Sequence, residues 1–183
     1  MNLKTLLNKN WRQIPKWSRL TLRVARLVNR GSSILQPSSA WVKSGLPILF
    51  LIGGFIGFLD SSYLSVLHYK NVIPPCSLGE CETVLTSKYS AIGGIPVSLF
   101  GAFYYLAVVI LSVLYLDTKQ IEYLNVAMSA VTLGFIFTLW FLYLQAFVIK
   151  AFCEYCLLSA GITAVLFIGV LIAIARSGER EHN

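Results

Sequence analysis

Ionisable residues are scarce in this chain. Asp, Glu, Lys and Arg make up 13% of its 183 residues, and two long stretches, 92–116 and 123–149, contain none of them. A water-soluble helix keeps charge on its solvated face, so stretches this bare are poor candidates for soluble core elements. Acids are missing altogether from residues 1–43, which hold nine of the 15 Lys and Arg, and the rest of the chain is net negative. The formal charge of +7 is therefore a property of the N-terminal tail. That tail carries no nucleic-acid-binding pattern and runs directly into an apolar segment, which argues against a nucleic-acid role. It also lacks the short apolar core of a cleavable secretory signal, because the first apolar run begins only at Leu46 and has the length of a full membrane span. Histidine is rare, with two residues in all. None follows the C-E-Y-C of 153–156, where Leu157 stands instead, so attachment of a c-type haem is excluded.

What the chain has in abundance is apolar, at 56% of its residues. A hydrocarbon layer of roughly 30 Å demands about 20 apolar residues per helix at ~1.5 Å rise per residue. Four windows meet that demand: Leu46 to His68, Ile92 to Leu116, Tyr123 to Ile149, and Cys153 to Ala175. The expected fold class is an all-α membrane protein, a four-transmembrane-helix bundle. Its expected organisation is a basic cytoplasmic tail over 1–43, a transmembrane domain over 44–176 and a short cytoplasmic C-terminal tail over 177–183. The basic tail reads as a positive-inside anchor, with an amphipathic helix on anionic lipid around Trp17 to Leu27. An acid-free, Arg- and Ser-containing N-terminus is also how an organelle transit peptide looks. Trp41 and Trp140 suit the lipid interface.

With the tail inside, the helices alternate, and the 69–91 loop and the connection near Lys150 both fall outside. Lys119, Arg176 and Arg180 then join the tail on the inner side, against Lys70, Lys88 and Lys150 outside, in keeping with the positive-inside rule. All four cysteines then share the outer, oxidising face, where disulfides persist. Pro74 and Pro75 end the first helix region, Gly79 permits a bend, and Gly93, Gly94 and Pro96 introduce the second helix. A short helix over Glu82 to Tyr89 is expected to rest on the bundle as a lid.

The cysteines form two close pairs, C-S-L-G-E-C at 76–81 and C-E-Y-C at 153–156. Two dithiols on one face can pass a disulfide by successive thiolate attack, provided Cys81 and Cys153 approach within the usual disulfide span. A structural zinc site fits less well, since zinc ribbons use two similar knuckles and the spacing here is uneven. Purely structural disulfides are the plainer alternative, but a C-x-x-C ring restrains little of an unfolded chain. Cys153 lies at the start of a helix, where exposed amides favour a thiolate, with Lys150 nearby and Glu154 opposing. Asp60, the acid inside the first span, is a functional candidate by default, against the plainer reading of a carboxyl near the outer boundary hydrogen-bonded to Ser61 or Tyr63. His68 and Tyr69 read as residues of a helix end.

The segment CSLGECETVLTSKYSAIGGIPVSLFG (76–101), together with FCEYCLLSA (152–160) and DSSYLSVLHY (60–69), resembles the vitamin K epoxide reductase family in its bacterial form. The resemblance covers about residues 46–176. It implies a four-helix bundle surrounding a quinone, with the C-x-x-C as redox centre and the loop pair as shuttle to a protein partner. By position it implies that Cys156 meets the quinone and Cys153 exchanges with the loop. Cys81 then relays the disulfide, and Cys76 forms the mixed disulfide with the partner. Ser87 matches a position whose hydroxyl lies near the quinone. Ala160 and Val97 stand where the animal enzymes carry a Tyr and an Asn, and the loop pair is more closely spaced than theirs. These departures count against epoxide reduction. Since only RSGEREHN follows Ala175, no fused thioredoxin-like domain is expected, and a separate thioredoxin-like or DsbA-like chain is the implied partner.

The resulting expectation is a membrane thiol-disulfide oxidoreductase that passes two electrons to menaquinone, ubiquinone, plastoquinone or phylloquinone, without a metal. It would sit in a bacterial inner membrane with its cysteines on the outer face. The alternatives are a vitamin K epoxide reductase proper and a non-catalytic membrane scaffold or small transporter with structural disulfides.

Overall fold

The computed structural model describes residues 41–76 and 81–178. The readings of the N-terminal tail, of the last five residues and of the bend at Gly79 lie outside the described residues. Four helices are long and apolar enough to cross a membrane, spanning Val42–Lys70, Val97–Thr118, Ile121–Ile149 and Glu154–Arg176. They carry large apolar side chains on their open faces, among them Phe55, Phe103, Phe137 and Ile168, each more than half exposed. Such faces are stable only against lipid, and the chain is an all-α, multi-pass membrane bundle.

The first long helix, α1 (Leu46–Lys70), has Pro47 in its first turn, where a missing N–H costs nothing. It stops at Asn71 in the left-handed conformation, with the Asn71 and Val72 amides donating to His68 and Leu67 carbonyls. The next elements are a one-turn helix, α2 (Cys81–Leu85), and a two-residue-per-strand hairpin, β1 (Ala91–Ile92) with β2 (Ile95–Pro96). Gly93 and Gly94 turn the hairpin with φ of +60° and +84°, the positive pair that a tight two-residue turn requires. Then come α3 (Val97–Thr118), α4 (Ile121–Tyr143), a π-helical extension of α4 over Leu144–Ile149, and α5 (Glu154–Gly178).

Two boundaries differ from the sequence-based expectation. The second span begins at Val97 rather than Ile92, because the hairpin is as apolar as the helix it precedes and only its glycines distinguish it. The lid helix closes after Leu85 rather than reaching Tyr89. Thr86 Oγ1 donates to the Glu82 carbonyl at 2.7 Å and Ser87 Oγ to the Val84 carbonyl at 2.8 Å, which draws the chain out of the helix.

Around the bundle the contacts run α1 to α3, α3 to α4, α4 to α5 and α5 back to α1, with α1 against α3 the most extensive seam. Lipid is as apolar as a leucine core, so membrane helices associate through close packing of small residues and through interhelical hydrogen bonds. Both operate here. A Cβ added to Gly57 would lie 2.5 Å from Tyr105 ring carbons, so the α1 backbone serves as the seat for that ring. The Tyr105 hydroxyl reaches across to α5, donating to the Ser159 carbonyl at 2.9 Å and lying 2.8 Å from Thr163 Oγ1. Ser65 and Ser98 hydroxyl oxygens meet at 3.0 Å between α1 and α3.

Candidate functional site

At the end of the bundle that carries α2 and the start of α5, all four cysteines meet. Cys76 and Cys81 are disulfide-bonded, with Cα atoms 6.2 Å apart. Cys153 and Cys156 are free thiols. Cys81, Val84, Ala151 and Cys153 form one buried cluster, and Cys76 and Cys156 pack against it. The short lid explains part of this: Cys81 and Val84 are three residues apart on one helical face, and that face points inward. A disulfide offers no thiolate, so the loop pair as it stands cannot share a four-thiolate zinc site with the second pair.

Cys153 is held from two sides. Its amide donates to Gln145 Oε1 at 3.1 Å, and the Ala151 amide donates to the Gln145 carbonyl at 3.2 Å. Gln145, 4% exposed, thus clamps the turn that delivers Cys153 to the helix start. The Cys153 carbonyl in turn accepts the first helical bond, from the Leu157 amide at 2.9 Å. Tyr155, between the two cysteines, donates its hydroxyl to the Pro75 carbonyl at 3.2 Å, joining α5 to the segment that carries Cys76. The Cys153 thiol is pulled down to about 7, chiefly by the Cys156 thiol hydrogen-bonded to it and also by the amides of Tyr155 and Cys156. Burial and Asp60 oppose the shift without cancelling it. Lys150, singled out in the sequence for this purpose, is not among the causes of the shift.

Beneath the lid lies a cavity of about 520 Å³, opening between α1, α3, α4 and α5. The size falls inside the roughly 300–1,000 Å³ of small-molecule sites, and its wall is mostly apolar. Cys156 is on that wall and Cys153 is not, so Cys156 stands between the cavity and the buried cluster. Ser87 lies on the wall too, with its hydroxyl proton committed to the Val84 carbonyl. Val97 and Ala160 present apolar surface to the same cavity, as do the rings of the aromatic residues around it.

Two polar side-chain atoms on the wall are buried and without a hydrogen-bond partner: Asp60 Oδ2 and Tyr104 Oη. Leaving such a group unsatisfied costs about 1–3 kcal/mol. A flat ring bearing oxygen on opposite edges fits a cavity of this volume, apolar character and orphaned polar groups. Residues that would hold a quinone ring here are therefore Asp60, Tyr104, Ser87 and Cys156.

Sequence reasoning had singled out the four cysteines, Ser87 and Asp60. It missed Gln145, Tyr104 and Tyr105, whose roles come from helix rotation and cross-helix contacts. The available signal for Gln145 was an amide in an otherwise apolar run, eight residues before Cys153. Among the described residues, no cluster of three or more His, Cys, Asp or Glu is arranged to hold a metal.

A direct comparison with curated proteins returns no match to this chain. The sequence profile of the Vitamin K epoxide reductase family matches residues 48–171, well over half the chain and all of the cysteine cluster and cavity. Family and fold agree, and the chain belongs to the vitamin K epoxide reductase family of membrane oxidoreductases.

Proposed function

We propose that the protein oxidises a C-x-x-C dithiol in a thioredoxin-like or DsbA-like partner and delivers the two electrons to a lipid quinone. The observation that carries this reading is the position of Cys156, which faces the apolar cavity on one side and packs on the disulfide-bearing cluster on the other. A partner thiolate attacks the Cys76 sulfur and displaces Cys81; the partner's second thiol then resolves the mixed disulfide, leaving Cys76 and Cys81 reduced. With Cys153 and Cys156 oxidised, Cys81 attacks the Cys153 sulfur and displaces Cys156. Cys76 then attacks Cys81, displacing Cys153 and restoring the loop disulfide. The weakly basic Cys153 thiolate is a good leaving group for this last step. The reduced inner pair gives two electrons and two protons to the quinone and returns to the disulfide.

In this proposal the tail over 1–43 stays in the cytoplasm, and the cysteine end faces the outer, oxidising side of a bacterial inner membrane. Apolar Val97 and Ala160 on the cavity wall favour simple quinone reduction over epoxide reduction. The test is quinol formation by the protein in nanodiscs, supplied with a reduced C-x-x-C peptide and a short-chain ubiquinone. Wild type should turn over. Cys156→Ser should abolish quinol formation while Cys76–Cys81 still accepts one pair of electrons. Absence of thiol-dependent quinol formation by the wild type refutes the proposal.

A further inference from the structure

The cavity's two orphaned polar atoms belong to adjacent helices at matching depth. Gly57 of α1 seats Tyr105 of α3, and the Cβ position of Gly101 lies 3.0 Å from Ser61 Oγ. Asp60 and Tyr104 fall between these two contacts on their respective helices and so face the same level of the cavity. Tyr104 is fixed there, since a Cβ on Gly134 of α4 would lie 2.5 Å from its ring and hydroxyl. His68, the basic residue of this wall, is eight residues from Asp60, about 12 Å along the helix. A carboxyl group in apolar surroundings, with neither a cation nor a hydrogen-bond partner beside it, is a group that a polar ligand atom would satisfy. A carboxyl and a phenol that lack hydrogen-bond partners therefore belong to the wall of one apolar slot, a wall that also carries Cys156. The polar positions expected from the family resemblance, 97 and 160, supply neither, being Val and Ala.

We propose that Asp60 and Tyr104 are the quinone-recognition pair of this chain, Tyr104 donating a hydrogen bond to one ring oxygen and Asp60 delivering a proton to a ring oxygen as the electrons arrive. The inference rests on the quinone-reductase reading above and assigns the residues that carry its proton chemistry. The balance is complete within the site. Cys153 and Cys156 lose two electrons and two protons as their S–S bond forms, and two O–H bonds form on the ring. Asp60 passes on one of those protons and regains one released by the thiols, ending as it began.

The experiment uses pre-reduced protein in nanodiscs mixed with short-chain ubiquinone in a stopped-flow instrument, following loss of quinone absorbance. Asp60→Asn keeps the shape but cannot release a proton, and should slow the step at saturating quinone by about 100-fold. Asp60→Glu should restore most of that rate. Tyr104→Phe should raise the half-saturating quinone concentration about fivefold with the saturated rate nearly unchanged. Reduction of the Cys76–Cys81 disulfide by a dithiol peptide, measured on each variant before the pre-reduction step, reports an intact fold. Where Asp60→Asn fails that control, the split between half-saturation and rate in Tyr104→Phe, with rescue by Asp60→Glu, decides. Wild-type quinone kinetics in a folded Asp60→Asn or in Tyr104→Phe overturns the proposal. A wild-type protein that reduces no quinone instead overturns the function reading on which it rests.

Discussion

Cys153 and Cys156 lie three residues apart yet meet different surroundings, and the roles proposed for them follow from that difference. Cys153 is sealed in the cluster with the loop disulfide, its amide clamped by Gln145, whereas Cys156 looks into the cavity. The Cys153 thiolate forms as pH rises through about 7 and is lost below it. In the pre-reduced protein, ultraviolet thiolate absorbance should titrate with a midpoint near 7 that disappears in Cys153→Ser. Because the Cys156 thiol is the main cause of the low value, Cys156→Ala should move the midpoint upward. Gln145→Leu removes the acceptor for a buried amide, and leaving that donor unsatisfied costs about 1–3 kcal/mol. Thermal unfolding in detergent should register this loss, and electron transfer from the loop pair to Cys153 should slow as the turn loosens. The cysteines themselves were legible in the sequence because their chemistry depends on residue type and close spacing. Gln145 was not, because its value lies in a contact made eight residues away across a π-helical turn that no spacing rule anticipates.

The helices were legible for a different reason: lipid imposes a minimum length on any apolar segment that crosses it, and four segments satisfy that length with little ambiguity. What hydropathy could not separate was a hairpin from the helix it leads into, since Ala91, Ile92, Ile95 and Pro96 are as apolar as α3. Nor could it show which face of each helix turns inward. That information resides in pairs such as Gly57 with Tyr105 and Gly134 with Tyr104, in which a ring takes the place of a side chain on the facing helix. Gly134→Ala should push Tyr104 from its seat, at a cost of about 1–3 kcal/mol for overpacking. It should also weaken quinone binding, readable as a raised half-saturation in the same stopped-flow assay. Gly57→Ala acts on Tyr105 instead and should lower the unfolding temperature. In that variant, the hydrogen bond from the Tyr105 hydroxyl to Ser159 is strained along with the α1–α3 seam.

For the molecule as a whole, the proposed cycle would keep its two substrates apart. The cavity opens among the membrane helices, the side from which a lipid quinone would come, and the disulfide sits at the bundle's end, where a soluble partner would dock. Tyr155 ties the two halves together, joining the helix of the inner pair to the Pro75 carbonyl beside Cys76. This separation makes the partner complex trappable. In Cys81→Ser, the Cys76 thiolate attacks the disulfide of an oxidised partner and displaces one partner thiol. Cys81 is no longer present to resolve the adduct, and alkylation of the displaced thiol after acid quenching prevents its return. Non-reducing electrophoresis of membranes expressing that variant should show a covalent adduct that collapses with reductant. The adduct should be missing in the Cys76→Ser, Cys81→Ser double variant. It should persist in Cys81→Ser combined with Cys156→Ser, because the quinone end plays no part in forming it. A trapped species that instead required Cys156 would place partner exchange at the inner pair and reverse the order assigned to the two dithiols.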